Sequence, residues 1–233
     1  MVKIFVCTKN LIISFIIPTV RNDILTLESI RAVRDKYNVE VVVIVDRKGR
    51  NPAWARNEGV QRSHGDIYVF CDDDIVFSDE LIDYVINTIN RNSRSILGIV
   101  NNDKLFGTYV MTRFIALHRE FFKKIGRFDE EIGYMGEDVE FSIRARMLGA
   151  KIVPIDSNKI IHVDHSVNRL KNILNQVHLT HIIIKHGKYF RLRALTFFVK
   201  SNMLRVLLRV FSFYYIIFKK ILKKFLFLFS NRH

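Results

Sequence analysis

Short apolar runs rich in Ile and Val recur through the first hundred residues, each followed by a segment of helical periodicity. Nothing else in the chain restricts its fold as much. Ile12–Ile17 reads as a strand ended by Pro18, Asp23–Lys36 as a helix with Asp23 near its start, and Val39–Val45 as a strand buried on both faces. The pattern continues with a helix over Pro52–Arg62, a strand over Asp66–Cys71, a helix over Asp79–Asn90 and a strand over Ile96–Val100. Such repetition predicts an α/β fold: a mostly parallel sheet with right-handed crossovers, flanked by helices, that binds ligands at the carboxyl ends of its strands. Pro18, Asp46 and Asp72 fall at such ends. Beyond residue 100 the pattern changes. Thr108–Leu117 reads as a longer antiparallel or mixed strand, Phe121–Ile125 as a short helix, Glu137–Leu148 as a helix closed by Gly149, and Lys151–Ile155 as a returning strand.

The net charge of +14 is not spread evenly. Residues 1–165 hold 23 basic and 23 acidic side chains, whereas residues 166–233 hold 14 basic and no acidic ones. This divides the chain into a neutral domain, 1–165, and a basic, apolar helical appendage, 166–233. A uniformly basic protein would suggest nucleic acid. Confinement of the charge to a Phe-rich tail suggests an anionic membrane surface, so no nucleic-acid partner is expected. Between Tyr189 and Phe229 the longest run without a charged residue is Val210–Phe218, short of the roughly 20 residues of a spanning helix. An amphipathic anchor lying in the membrane interface is the expectation, with packing of the same greasy faces on the first domain or on a second subunit, and a short tilted span centred on Leu204–Phe218, as the competing readings. Cys7 and Cys71 are too few for a disulfide framework and lack zinc-site spacing. No cleavable leader is read at the N-terminus, and a cytoplasmic, peripherally membrane-bound location follows.

Three consecutive aspartates, Asp72, Asp73 and Asp74, end the apolar run Ile67-Tyr68-Val69-Phe70-Cys71. Adjacent like charges raise the cost of ionising all three, and a divalent cation offsets it. Carboxylate ligands at a strand end suit Mn²⁺ or Mg²⁺, which complete their shell with water and a diphosphate. A second acidic pair, Glu137-Asp138, opens a helix, where carboxylates are often only partners of the helix dipole.

The order of these segments resembles the family 2 glycosyltransferases of the GT-A fold over about residues 12–165. The resemblance rests on Ile16-Ile17-Pro18-Thr19, Val43-Ile44-Val45-Asp46, Ala55-Arg56-Asn57-Glu58-Gly59, Phe70-Cys71-Asp72-Asp73-Asp74, and Gly136-Glu137-Asp138 through Arg146. It implies an inverting, metal-dependent transfer of one sugar from a nucleotide-diphosphate-sugar donor to a hydroxyl acceptor, plausibly a lipid-linked or membrane-proximal glycan. Asp138 would then be the general base, with Glu137 orienting it or the acceptor. Pro18, Thr19, Asp46, Arg56, Asn57, Asp72 and Asp73 would contact the nucleotide, and Asp74, Asp72 and His162 would hold the metal. Arg56 has a second reading as an ion-pair partner of Asp46 or Glu58. His165 and Asp164 are weaker candidates near the metal. The second strand ends in Asp46-Arg47-Lys48-Gly49, without the paired acidic turn frequent in the family, and no Gln-X-X-Arg-Trp motif of processive synthases occurs. The rival readings are a nucleotidyltransferase-like enzyme and a non-catalytic basic membrane- or nucleic-acid-binding protein. The former lacks an early Gly- and Lys-rich phosphate loop in Pro18-Thr19-Val20-Arg21.

Overall fold

The computed structural model describes residues 11–132, 136–162, 178–190, 210–211, 213–219 and 221. These fall into two units: residues 11–131 with 137–162, and Ile132 and Gly136 with the helical residues from 178 onward.

The first unit is built on a six-stranded sheet, in the order β2 (Asn38–Val45), β1 (Ile12–Thr19), β3 (Ile67–Cys71), β6 (Gly107–His118), β5 (Ser95–Asp103), β7 (Lys151–Pro154). Pairing is parallel for β1 with β2, β1 with β3 and β5 with β7, and antiparallel wherever β6 takes part. The expected mostly parallel α/β sheet is therefore present, with the long strand after residue 100 running against the rest.

Period-two alternation sorts the central strands between two cores. Ile13, Phe15 and Ile17 of β1 and Ile67, Val69 and Cys71 of β3 face one layer, where they meet Ile30 and Val33 of α1 (Thr26–Arg34) and Leu81, Val85 and Ile89 of α3 (Asp79–Arg91). Ile16, Tyr68 and Phe70 face the other, against Ala53 of α2 (Pro52–Gln61), Phe121 and Phe122 of α4 (Arg119–Ile125) and Phe141 and Ala145 of α5 (Glu137–Met147). Helix α2 lies close to β1 because its inner face is small: a Cβ on Gly59 would come within 2.4 Å of Ile16 Cγ2.

Several boundaries differ from the sequence reading for definable reasons. Strand β1 continues through Pro18. The Thr19 carbonyl accepts from the Asp46 N–H, so Thr19 faces β2 and Pro18 turns its missing N–H to the other side, beyond the β3 ladder, which ends at Ile16 opposite Phe70. Strand β2 is an edge strand and only half-buried, because a continuous apolar run does not require cover on both faces. Helix α1 starts at Thr26 rather than near Asp23, because Thr26 is tied to the aspartate turn. Its N–H donates to the Asp73 carbonyl, and its Oγ1 lies 2.7 Å from the Asp72 carbonyl and accepts from the Ile75 N–H at 3.1 Å.

A second, two-stranded sheet was not anticipated. Strand β4 (Ile75–Phe77) pairs antiparallel with β8 (Ile160–His162), placing His162 opposite Ile75. Three-residue runs are too short to carry a period.

In the second unit residues 178–185, Gly187–Phe190, 210–211, 213–219 and 221 are helical. Phe211, Tyr214, Tyr215 and Phe218, at i, i+3, i+4 and i+7, are each at least 60% exposed, whereas Ile216 is buried. Among the described residues no helix is long and apolar enough to cross a membrane. Asp164 and His165 lie outside the described residues, as do Arg191, Arg193, Lys200, Arg205, Arg209, Lys220, Lys223 and Lys224 of the basic tail.

Gly98 sits at the irregularity in β5, where an added Cβ would meet the Phe114 carbonyl oxygen at 2.4 Å. Backbone cannot yield as a side-chain tip can. Gly98→Ala is expected to lower unfolding stability by about 1–3 kcal/mol through overpacking, read as a lower urea midpoint at unchanged slope.

Candidate active site

The aspartate triplet follows β3 at the carboxyl end of the sheet, and its backbone is fixed on two sides. Thr26 holds it from α1, and the Asp72 N–H donates to the Arg113 carbonyl of β6 at 3.1 Å. The three side chains then diverge to different partners.

Asp72 receives the guanidinium of Arg56, whose Nη2 lies 3.0 Å from Asp72 Oδ1. The same guanidinium donates Nη1 to Glu137 Oε1, also at 3.0 Å. Arg56 is 2% exposed, so one buried cation joins the triplet to the acidic pair that begins α5. The acidic pair and the triplet thus belong to one site. Of the two partners considered for Arg56, neither is used: Glu58 pairs with Arg62, and Asp46 lies beside Arg50.

Asp73 accepts from Thr19 Oγ1 at 2.5 Å. Arg21, on the loop after β1, stands 3.6 Å from Asp73 Oδ1 and 3.4 Å from Asp74 Oδ2. The other oxygen of Asp74 faces His162 Nε2 at 3.3 Å. One ligand atom from each of Asp72, Asp74 and His162 lies within 4.8 Å of the others, so the three can hold a metal ion. Two carboxylate oxygens and an imidazole nitrogen fit Mn²⁺ better than Mg²⁺, which prefers oxygen alone. The β4–β8 ribbon is what delivers the histidine.

Burial pushes the Asp72 carboxyl above the usual range, and the charges of Asp74 and Glu137 add to the rise while Arg56 opposes it. A larger effect falls on Asp138, pushed up to about 7 by burial first and by the charge of Glu137 second, against the Val139 N–H and Arg56. The two acidic neighbours are not equivalent. Glu137 is 4% exposed and engaged by Arg56 and, at 3.4 Å, by Thr112 Oγ1, whereas Asp138 is only half-buried and accepts from the Val139 N–H at 2.8 Å. Tyr109, on the β5–β6 hairpin, is raised by burial and then by the charge of Asp138, and it accepts from Asn101 Nδ2 at 2.9 Å. Neither Tyr109 nor Thr112 is legible as a site residue from sequence; each is one more polar residue on a long strand.

Asp46, directly after β2, is 6% exposed. Its Oδ2 accepts from the Asn51 N–H at 3.1 Å, while its Oδ1 is buried with no hydrogen-bond partner and lies 3.6 Å from Arg50 Nε. Arg50 in turn stacks on Trp54. Pro18 is half-buried beside Thr19 at the end of β1. Asn57 is committed elsewhere: its amide donates to the Phe128 carbonyl and to Glu130 Oε1, and its oxygen accepts from the Phe128 N–H, which clasps the loop before α5. Glu140 is likewise structural, fully buried against Arg144, which also donates to the carbonyls of Ile125 and Arg127.

Solved structures with the same fold include the mannosyltransferase PcManGT from Pyrobaculum calidifontis, in complex with GDP-Man and Mn²⁺, at 14% identity over 86% of this chain and 73% of that one, with a TM-score of 0.60. GalNAc-T7, solved with UDP, GalNAc and Mn²⁺, is similar at 13% identity over 75% of this chain and 48% of that one, with a TM-score of 0.58. The chain therefore spans about half of the latter protein. Comparison with curated proteins returns no match. The family model described as glycosyl transferase family 2 matches residues 24–148, more than half of the chain and a span that includes Asp46, Arg56, the aspartate triplet and the Glu137-Asp138 pair. The chain belongs to glycosyl transferase family 2 and is a glycosyltransferase.

Proposed function

We propose that the protein transfers a single sugar, with inversion, from a nucleotide-diphosphate-sugar to a hydroxyl group of a lipid-linked or otherwise membrane-proximal glycan. The observation that carries this reading is the buried Arg56, held at 3.0 Å by both Asp72 and Glu137, because it sets a donor-side and an acceptor-side carboxylate a single guanidinium apart.

Asp72, Asp74 and His162 would hold the cation, and Asp73 with Thr19 would shape the turn beside the donor. A bound Mn²⁺ or Mg²⁺ supplies neutralisation of the diphosphate as the glycosidic bond breaks. Asp46 offers its buried Oδ1, which has no hydrogen-bond partner and faces Arg50 only at 3.6 Å, to an N–H of the base, with Pro18 and Thr19 forming the adjoining wall. Asn57 supports the site through the 128–130 loop rather than by touching the nucleotide.

Asp138 takes the proton from the acceptor hydroxyl while the acceptor oxygen bonds to the anomeric carbon and the carbon–diphosphate bond breaks. The nucleoside diphosphate leaves on the opposite face, and no covalent sugar–enzyme intermediate forms. A carboxylate with its pKa near 7 is basic enough to accept that proton and still ionised at neutral pH. Glu137, buried and with its Oε1 engaged by Arg56 and Thr112, is suited to orienting and not to proton transfer. The hairpin bearing Asn101 and Tyr109 lies on the Asp138 side and would meet the acceptor. Helical residues 210–211, 213–219 and 221 would lie in an anionic membrane interface through the exposed Phe211, Tyr214, Tyr215 and Phe218, since Tyr and Phe suit a boundary that is apolar below and wet above. Oligomers formed through these same helices are the alternative use of that stripe.

Asp138→Asn should reduce transfer by about 100-fold or more, with nucleoside diphosphate affinity, measured calorimetrically with Mn²⁺, nearly unchanged. A comparable loss of donor affinity would remove Asp138 from the role of base. In the wild type, kcat/KM should decline as pH falls through about 7. Because the folded state raises this carboxyl, its ionisation opposes folding above the unfolded value; Asp138→Asn should accordingly be more stable than wild type at pH 8, and the difference should fade towards pH 4. Arg56→Met leaves two carboxylates without their shared cation and should cost about 3 kcal/mol in stability by denaturant titration. Finally, replacing Phe211, Tyr214, Tyr215 and Phe218 by Ser should abolish co-sedimentation with phosphatidylserine vesicles; retention would rule this stripe out as the anchor.

A further inference from the structure

Three adjacent carboxylates are tolerated only beside compensating positive charge. Arg56 serves Asp72, His162 approaches Asp74, and Arg21 approaches both Asp73 and Asp74. The two arginines differ in how firmly they are held. Arg56 is buried and makes two bonds of 3.0 Å, so its charge is fixed in place. Arg21 is 42% exposed at its side chain and stands 3.4 and 3.6 Å from its carboxylates, longer than the roughly 2.7–2.9 Å of a well-made charged hydrogen bond. Its backbone is anchored all the same, through an N–H bond of 2.9 Å to Thr19 Oγ1, the hydroxyl that also binds Asp73. Arg21 is therefore a loosely bound cation on a fixed stem, at the rim of the Asp72, Asp74 and His162 cluster.

We propose that Arg21 is the resident counter-cation of the metal site and passes its charge from Asp73 and Asp74 to the donor diphosphate when a divalent cation arrives. The proposal rests on the glycosyltransferase reading above, since it takes that cluster as the cation site. A guanidinium a few ångströms from Asp74 Oδ2 and a divalent ion on the same carboxylate repel one another. Once displaced, the planar fork of an arginine matches phosphate oxygens, whereas a compact ammonium would act only as a point charge. The stem anchored at Thr19 keeps the displaced guanidinium within the site.

This role has two consequences of opposite sign. Without Arg21, metal alone should bind more tightly, because a competing cation is gone, and nucleotide should bind less tightly, because a phosphate partner is gone. A merely structural arginine would weaken both.

The test uses the full chain as wild type, Arg21→Gln and Arg21→Lys, with thermal melting to verify folding. Mn²⁺ alone is titrated by the paramagnetic resonance of the free ion, and UDP and GDP are titrated calorimetrically at saturating Mn²⁺. For Arg21→Gln, Mn²⁺ should bind about three- to tenfold tighter, the modest size following from the exposure of the pair. The nucleotide preferred by the wild type should bind about tenfold weaker, with Arg21→Lys between the two. Unchanged or weaker Mn²⁺ binding by Arg21→Gln, or unchanged nucleotide binding, overturns the proposal while leaving the glycosyltransferase reading in place. A wild type that takes up neither Mn²⁺ nor nucleotide overturns both.

Discussion

A single buried guanidinium decides whether this site exists. Arg56 comes from α2, Asp72 from the end of β3 and Glu137 from the start of α5, and without a cation between them two carboxylates from distant parts of the chain would be desolvated side by side. Burying one charge among two opposite ones is favourable only if the geometry is good, which the paired 3.0 Å bonds provide. The arrangement leaves one negative charge in excess. Burial of Asp138 first, and the charge of Glu137 beside it second, push this carboxyl up to about 7, out of the ordinary acidic range, with Arg56 opposing the rise.

The sheet explains why such pairing is possible. Alternate residues of β1 and β3 feed two separate apolar layers, so the strands are fixed from both faces and their ends become rigid platforms. Thr19, Asp46 and the aspartate triplet all sit just at or beyond such ends, where polar groups are no longer forced into a ladder. Small residues then let α2 close on β1, and Gly59 is the position at which any larger side chain would push Arg56 outward.

Much of this architecture is readable in the residues. β1 and β3 announce themselves as continuous apolar runs, α3 by its helical period and α5 by the acidic pair that opens it and the Gly149 that closes it, and the triplet and the acidic pair stand out as charges placed where a strand ends or a helix begins. Other parts leave no local trace. The three-residue strands β4 and β8 are shorter than one clear alternation, and β2 carries the same Val-rich run at a sheet edge that a central strand would carry. Arg56 and Asn57 are adjacent in sequence and look equally fit for a nucleotide, yet one joins two carboxylates and the other clasps a loop; their partners are as far as 81 and 73 residues away. Position along a strand is local information, whereas the identity of a polar partner is set by how distant segments pack.

The β4–β8 ribbon lies apart from the main sheet, and its second strand falls outside the stretch matched by the family model. The imidazole it presents is thus separable from the rest of the machinery. Substitution of His162 itself would retune which divalent ion is preferred, or how strongly one is required, while leaving the Glu137-Asp138 pair and the main sheet as they are. Metal preference would then be free to drift between relatives faster than the reaction itself.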